Sequence, residues 1–122
     1  MPGDLKTKVE HVGPVAVCSF AGDLQMETEA QVRAALNTAL GLSPQVLAVD
    51  LAGAELFTSS GLNALLQARL DAADLSVPVV LLAPSRVVRR VLEVTEAEGL
   101  FPVCADAREA VRYAPTPQAP GA

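Results

Sequence analysis

The chain carries little with which to do chemistry on its own. Its 122 residues include a single histidine, His11, and two cysteines, Cys18 and Cys104. The cysteines are far apart, each lies in an apolar segment, and His11 stands at no metal-ligand spacing from either. Buried, reduced thiols are therefore expected, not a disulfide or a metal site. Positive charge is also scarce. Nine Lys and Arg stand against fourteen Asp and Glu, for a net charge of -5. That balance argues against a nucleic-acid binder and offers no attraction to an anionic membrane surface. The longest greasy stretches, such as "VPVVLLA", are too short to span a bilayer. The N-terminal "MPGDLKTKVEH" lacks the apolar core of a signal peptide, so a cytoplasmic protein is expected. Neither a P-loop nor a G-x-G-x-x-G is present, which leaves nucleotide binding unsupported.

Enough apolar material is present for one packed domain: 51% of residues are hydrophobic and 19% charged. "LKTKVE" alternates apolar or hydroxyl side chains with charged ones and reads as a half-exposed edge strand with lysines guarding the edge. "VGP" turns the chain into "VAVCSF", a second strand that pairs as a hairpin. Ala30, Val32, Ala35, Leu36, Ala39 and Leu40 make a helical stripe over 27–40, with Glu27 and Glu29 in the first turn and Gly41 as its stop. "QVLAVDL" and "VPVVLLA" are nearly continuous apolar runs suited to strands buried on both faces. Leu62, Leu65, Leu66, Arg69 and Leu70 repeat at helical spacing between them, completing a βαβ unit. A third helix follows Ser85 as N-cap, "LFPVC" is a minor strand, and a short last helix capped by Asp106 with Glu109 runs to about Tyr113. The result is an α/β domain over 1–113, an initial hairpin plus parallel βαβ units with about four helices. The proline-rich tail 114–122 is expected to be disordered.

One short stretch raises a functional question. In "LFTSSGLNALL", Thr58-Ser59-Ser60-Gly61 separates an apolar segment from a leucine-rich helical pattern. Serine and threonine are preferred N-caps, so capping alone accounts for the run. A serine nucleophile would need a base, and His11 lies in an edge strand or turn. The run also lacks the glycine that precedes the nucleophile in a G-x-S-x-G elbow. A strand-to-helix junction does, however, present free N–H groups and a positive dipole that tolerate phosphate. Gly61 would let a partner's loop approach closely. Arg86, Arg89 and Arg90 gather early in the third helix, where positive charge is unfavourable, and form either a partner-binding or a merely solvated face. Asp23 is a partner contact or a turn-stabilising aspartate. Asn63 and Gln67, on the polar side of the second helix, are further candidates for partner contact.

Four segments occur in order: "FAGDL", "VLAVDLAGAELFTSSGLNALL", "VVLLAPSRVVRRVLEVT" and "LFPVCADAREAV". On these the chain, from about Leu5 to Tyr113, resembles a STAS domain, and more closely the bacterial anti-anti-sigma factors (anti-sigma factor antagonists). The resemblance implies a STAS-like mixed sheet. It also implies a regulatory interaction protein, not an enzyme, with no cofactor and no metal. In that family the first serine of Asp-Ser-Ser-Gly-Leu is phosphorylated by the partner, an anti-sigma factor with kinase activity. The resemblance thus implies Ser59 as phosphoacceptor, with Thr58 as second candidate. Asp23, Thr58, Ser60, Gly61, Asn63, Gln67, Arg86, Arg89 and Arg90 are the candidate partner contacts. The unmodified chain would bind the anti-sigma factor and free a sigma factor, phosphate would end the contact, and a serine phosphatase would restore it. Two positions depart from the family pattern. Thr58 stands where the family usually has aspartate, and Gln25 replaces the second acid after the second strand. These departures motivate the alternative, a divergent STAS domain that binds constitutively or serves as a scaffold.

Overall fold

The computed structural model describes residues 4–115. The charged alternation of the N-terminal segment becomes β1 (Leu5–Val12), which pairs antiparallel with β2 (Val15–Leu24). Then come α1 (Glu29–Leu40), β3 (Val46–Phe57), α2 (Ser59–Asp74), β4 (Val79–Leu82), α3 (Arg86–Val94), β5 (Val103–Cys104) and α4 (Ala107–Ala110). Short 3-10 turns occupy Met26–Thr28, Glu98–Leu100 and Val111–Tyr113. The five strands form one sheet in the order β1-β2-β3-β4-β5. Every pairing after the hairpin is parallel. This is the mixed α/β sheet expected from the sequence.

The apolar runs of β3 and β4 are buried on both faces because each face has its own cover. Ala16, Cys18, Phe20, Leu47, Val49, Leu51, Val79 and Leu81 face a large core that α1, α2 and α3 close with Val32, Leu36, Leu62, Leu65, Val88 and Leu92. Val15, Val17, Val46, Ala48, Val80 and Leu82 face the other way, onto a smaller cluster with Cys104 and Ala110 of α4. Each fully buried large aliphatic side chain contributes about 1.5–3 kcal/mol. The central strands therefore carry much of the stability. Helix α2 buries Leu62, Ala64, Leu65, Ala68 and Ala72. Small residues at 64, 68 and 72 share the inward face with Leu62 and Leu65, and Leu70, expected on the apolar stripe, points to solvent.

Several local expectations are corrected. Residues 26–28 are a 3-10 turn and the α-helix starts at Glu29, because the Thr28 hydroxyl accepts the Gln25 N–H (3.0 Å) and donates to the Asp23 carbonyl (2.7 Å). Gly41 keeps right-handed helical angles, and the left-handed residue that turns the chain after α1 is Ser43 (φ 55). Ser76 and Glu96 do the same after α2 and α3. Ser85 occupies the N-cap of α3, yet its hydroxyl makes no capping bond. Asp106 caps α4 as expected, accepting the Glu109 N–H at 2.9 Å. Strand β3 runs well past its apolar core, through "AGAELF" to Phe57. Of the tail, Ala114 still packs against the smaller cluster, and residues 116–122 lie outside the described residues.

Both cysteines are free and buried, on opposite faces of the sheet. Burial pushes the Cys18 thiol up to about 12. Burial also raises Cys104, and the carboxylates of Glu109 and Asp106 add to that rise against the opposing pull of Arg112. Thiolate is the reactive form, so both groups are inert in the fold. Ellman's reagent should leave the folded chain unlabelled at neutral pH and label both thiols once urea unfolds it. Fast labelling of the folded chain would contradict this packing.

Gly22 has φ +123, and a Cβ there would run into the Asp4 carbonyl oxygen where β1 enters the sheet. Backbone strain and the clash act together. Gly22→Ala should lower unfolding stability by about 1–3 kcal/mol in urea titrations.

Candidate functional site

Strands β2 and β3 run side by side and stop together, with Leu24 opposite Phe57. Their register changes on the way. Ser19 pairs with Asp50, Ala21 with Gly53, Gly22 with Ala54 and Asp23 with Leu56. Each irregularity inserts one extra residue into β3, as a β-bulge does. The two insertions carry β3 to the same level as the end of β2.

Thr58 then makes the turn. Its N–H donates to the Leu24 carbonyl (3.0 Å), and its hydroxyl accepts the Ser60 N–H (3.3 Å). The hydroxyl also approaches the Leu24 carbonyl as donor (3.4 Å). The Thr58 carbonyl takes the Leu62 N–H (3.0 Å), which is the first bond of the helix. Thr58 is thus the N-cap of α2, extended at φ -106 and ψ -176. Ser59 is the first helical residue and is exposed, while Thr58 and Ser60 are half-buried. The positive end of a helix sixteen residues long lies directly beneath the Ser59 side chain.

Gly61 has a packing role that the sequence did not show. It is buried, and a Cβ there would lie 2.9 Å from Phe57 Cε1 and 3.1 Å from Leu24 Cβ. Its missing side chain lets α2 settle on the two strand ends. That contact lies within the chain's own interior.

The other candidates divide into near and far. Asp23 sits at the level of Leu56, half-buried, one residue before the Leu24 carbonyl that anchors Thr58. Gln25 stands at the N-cap of the adjoining 3-10 turn, where its N–H donates to the Thr28 hydroxyl (3.0 Å) and its carbonyl accepts the Thr28 N–H (3.1 Å). Asn63 and Gln67 lie exposed along α2, one and two turns from Ser59. Gln67 is tied to Asp71 at 2.9 Å. The three arginines are all exposed but do not act alike. Arg89 folds back to donate to the Pro84 carbonyl (3.1 Å), whereas Arg90 borders a groove shared with Leu56 and Phe57. His11 pairs with Ala16, near the hairpin turn, while the site end of β1 is Leu5 opposite Gly22. No base for a serine nucleophile comes from that residue.

Sequence reasoning missed the apolar residues beside the site. Met26 is 74% exposed in the turn after β2, and Leu56 and Val94 are 40% and 70% exposed. A methionine in a strand-to-helix turn, outside any apolar period, was the available signal. Among the described residues, no His, Cys, Asp and Glu group could hold a metal ion. Also among them, no helix is long and apolar enough to cross a membrane.

Comparison with known proteins agrees with this geometry. No curated protein sequence matches the chain significantly. Solved structures do. An anti-sigma factor antagonist from Mycobacterium paratuberculosis is 26% identical, with a TM-score of 0.77 over 93% of this chain and 97% of that one. The anti-sigma factor antagonist SpoIIAA in its unphosphorylated form is 21% identical, with a TM-score of 0.74 over 91% of this chain and all (100%) of that one. The Bacillus cell fate determinant SpoIIAA in its phosphorylated form is 19% identical, with a TM-score of 0.67 over 88% and 98%. At 21% and 19% identity the SpoIIAA structures speak for the fold. The family profile described as the STAS domain matches residues 6–110, nearly the whole described chain, and the chain therefore belongs to the STAS domain family.

Proposed function

We propose that this chain is an anti-sigma factor antagonist switched by phosphorylation of Ser59. In its unmodified form it binds an anti-sigma factor that is also a serine kinase, and so frees a sigma factor. Phosphate on Ser59 ends the contact, and a serine phosphatase in the same cytoplasmic compartment restores it. The observation that carries the reading is the exposure of Ser59 at the first position of α2, beside a threonine whose hydroxyl the turn already uses. Thr58 spends its hydroxyl on Ser60 and Leu24, so Ser59 is the better acceptor of the two. Phosphate adds about -1.5 to -2 charges at neutral pH. At a helix N-terminus that charge meets free N–H groups and the positive dipole, so the fold accepts it. The partner does not, because charge and bulk then stand at the exposed start of α2, in the middle of the proposed contact. No large rearrangement is needed.

A second reading keeps the binding and drops the switch. It is favoured by Thr58 and Gln25, neutral where the family usually has acids. Incubation with the cognate kinase and ATP, followed by mass spectrometry, should place phosphate on Ser59 and none on Ser59→Ala. Ser59→Glu should bind the anti-sigma factor at least about tenfold more weakly than the unmodified chain. Equal binding would favour the constitutive scaffold.

The rigid seat of the serine is open to a separate check. Gly61→Val should cost about 1–3 kcal/mol of stability through overpacking against Phe57 and Leu24. Ser59→Ala, at an exposed position, should stay within about 0.5 kcal/mol of the parent. Urea titration of both variants measures the contrast.

A further inference from the structure

Strand β4 stops at Leu82, opposite Asp50, but β3 continues to Phe57. On its β4 side, the Leu51 carbonyl takes the Ser85 N–H that leads into α3. Beyond that bond no described strand flanks β3 on this side, and α3 runs beside it instead. Between the end of β3 and α3 lies an open groove of about 410 Å³, lined by Leu56, Phe57, Val87, Arg90, Val91 and Val94, with Thr95 at its end. Leu56, Val87 and Val94 are 40%, 38% and 70% exposed, so the apolar lining faces water. Arg90 is the only charged residue of the lining. Neither it nor Arg86 has an ion-pair partner among the described residues, and Glu93 and Glu96 of the same segment lie outside the groove lining.

The geometry points to a docking site for an extended segment of another polypeptide that presents apolar side chains together with a carboxylate. Three features select that occupant. The unflanked edge of β3 is a template for an added strand. An extended segment directs alternate side chains to one side, which suits a narrow floor made of Leu56, Val87, Val91 and Val94. The unpaired guanidinium of Arg90 at that floor asks for an acid, and arginine holds carboxylates through paired N–H donors. The groove shares Arg90 with the candidate contacts for the anti-sigma factor but does not depend on the switch at Ser59. It is tested on the unphosphorylated chain with no anti-sigma factor present, so failure of either leaves the other standing.

The test is selection from a random peptide library on the full chain, with counter-selection on Val94→Asp. That side chain is exposed, and circular dichroism would confirm that the variant is folded. Enriched peptides should alternate apolar residues, carry an acid and avoid proline at the pairing positions. Titrated into the isotope-labelled chain, a selected peptide should shift the amides of residues 52–57 and 87–95. Its affinity should fall about tenfold or more on Arg90→Glu. No enrichment over Val94→Asp would overturn the proposal. So would selected peptides that bind as helices, or binding that Arg90→Glu leaves unchanged.

Discussion

The bond from the Thr58 N–H to the Leu24 carbonyl, 3.0 Å long, is the constraint on which the rest of the site depends. It joins the ends of two parallel strands and sets the first residue of α2 in the same step. Without it, the end of β3 would be free to fray and the helix would have no fixed origin. The carbonyl that receives this bond also lies near the Thr58 hydroxyl, and the same hydroxyl reaches back to Ser60. Strand pairing and helix capping therefore meet in one residue. Gly61 completes the joint by letting the helix lie against Phe57 and Leu24 without a side chain between them. The exposed Ser59 stands between two residues whose hydrogen-bonding groups the turn already uses.

Much of the architecture was legible in the sequence, for reasons that differ by element. The alternation of β1 and the continuous apolar runs of β3 and β4 report burial directly, since a strand's surroundings decide which of its faces are apolar. The helices followed from their period. What escaped was decided by pairing between distant segments. "AGAELF" has neither a long apolar run nor clean alternation, yet it is strand, because β2 runs beside it and two irregularities adjust the register. Leu70 belonged to the apolar stripe by spacing, but the inward face of α2 is completed by alanines beside Leu62 and Leu65, and Leu70 lies outside it. Gly41 was the natural helix stop by composition, and the chain placed the left-handed residue at Ser43.

The candidate site was legible only in part, and for a comparable reason. The hydroxyl run marked the place, because few residue types cap a helix well. It did not distinguish the three hydroxyls. That distinction comes from hydrogen bonds to Leu24, thirty-four residues away in the chain from Thr58. The role of Gly61 was hidden for the same cause. A glycine after two serines reads as an open approach in one dimension, and in three it is a contact with two strand ends. The arginines made one patch in the sequence. In the fold Arg89 is spent on Pro84, and Arg90 belongs to a groove whose other wall comes from β3.

The replacement of an acid by Thr58 bears on the charge of the site. An aspartate N-cap accepts the same backbone N–H as a threonine, but it also places a full negative charge at the positive end of the helix. Threonine caps without that charge. The dipole of α2 and its free N–H groups are then left for whatever anion arrives at Ser59. A phosphate at Ser59 would also meet less repulsion from its own chain, since Thr58 and Gln25 are both neutral and Asp23 is the remaining acid of the two strand-end motifs. The two departures from the family pattern thus act in one direction. Thr58 keeps α2 capped, and the loss of both negative charges makes a phosphorylated state easier for the fold to hold. Under the proposed switch, rejection of the partner would rest on the phosphate itself.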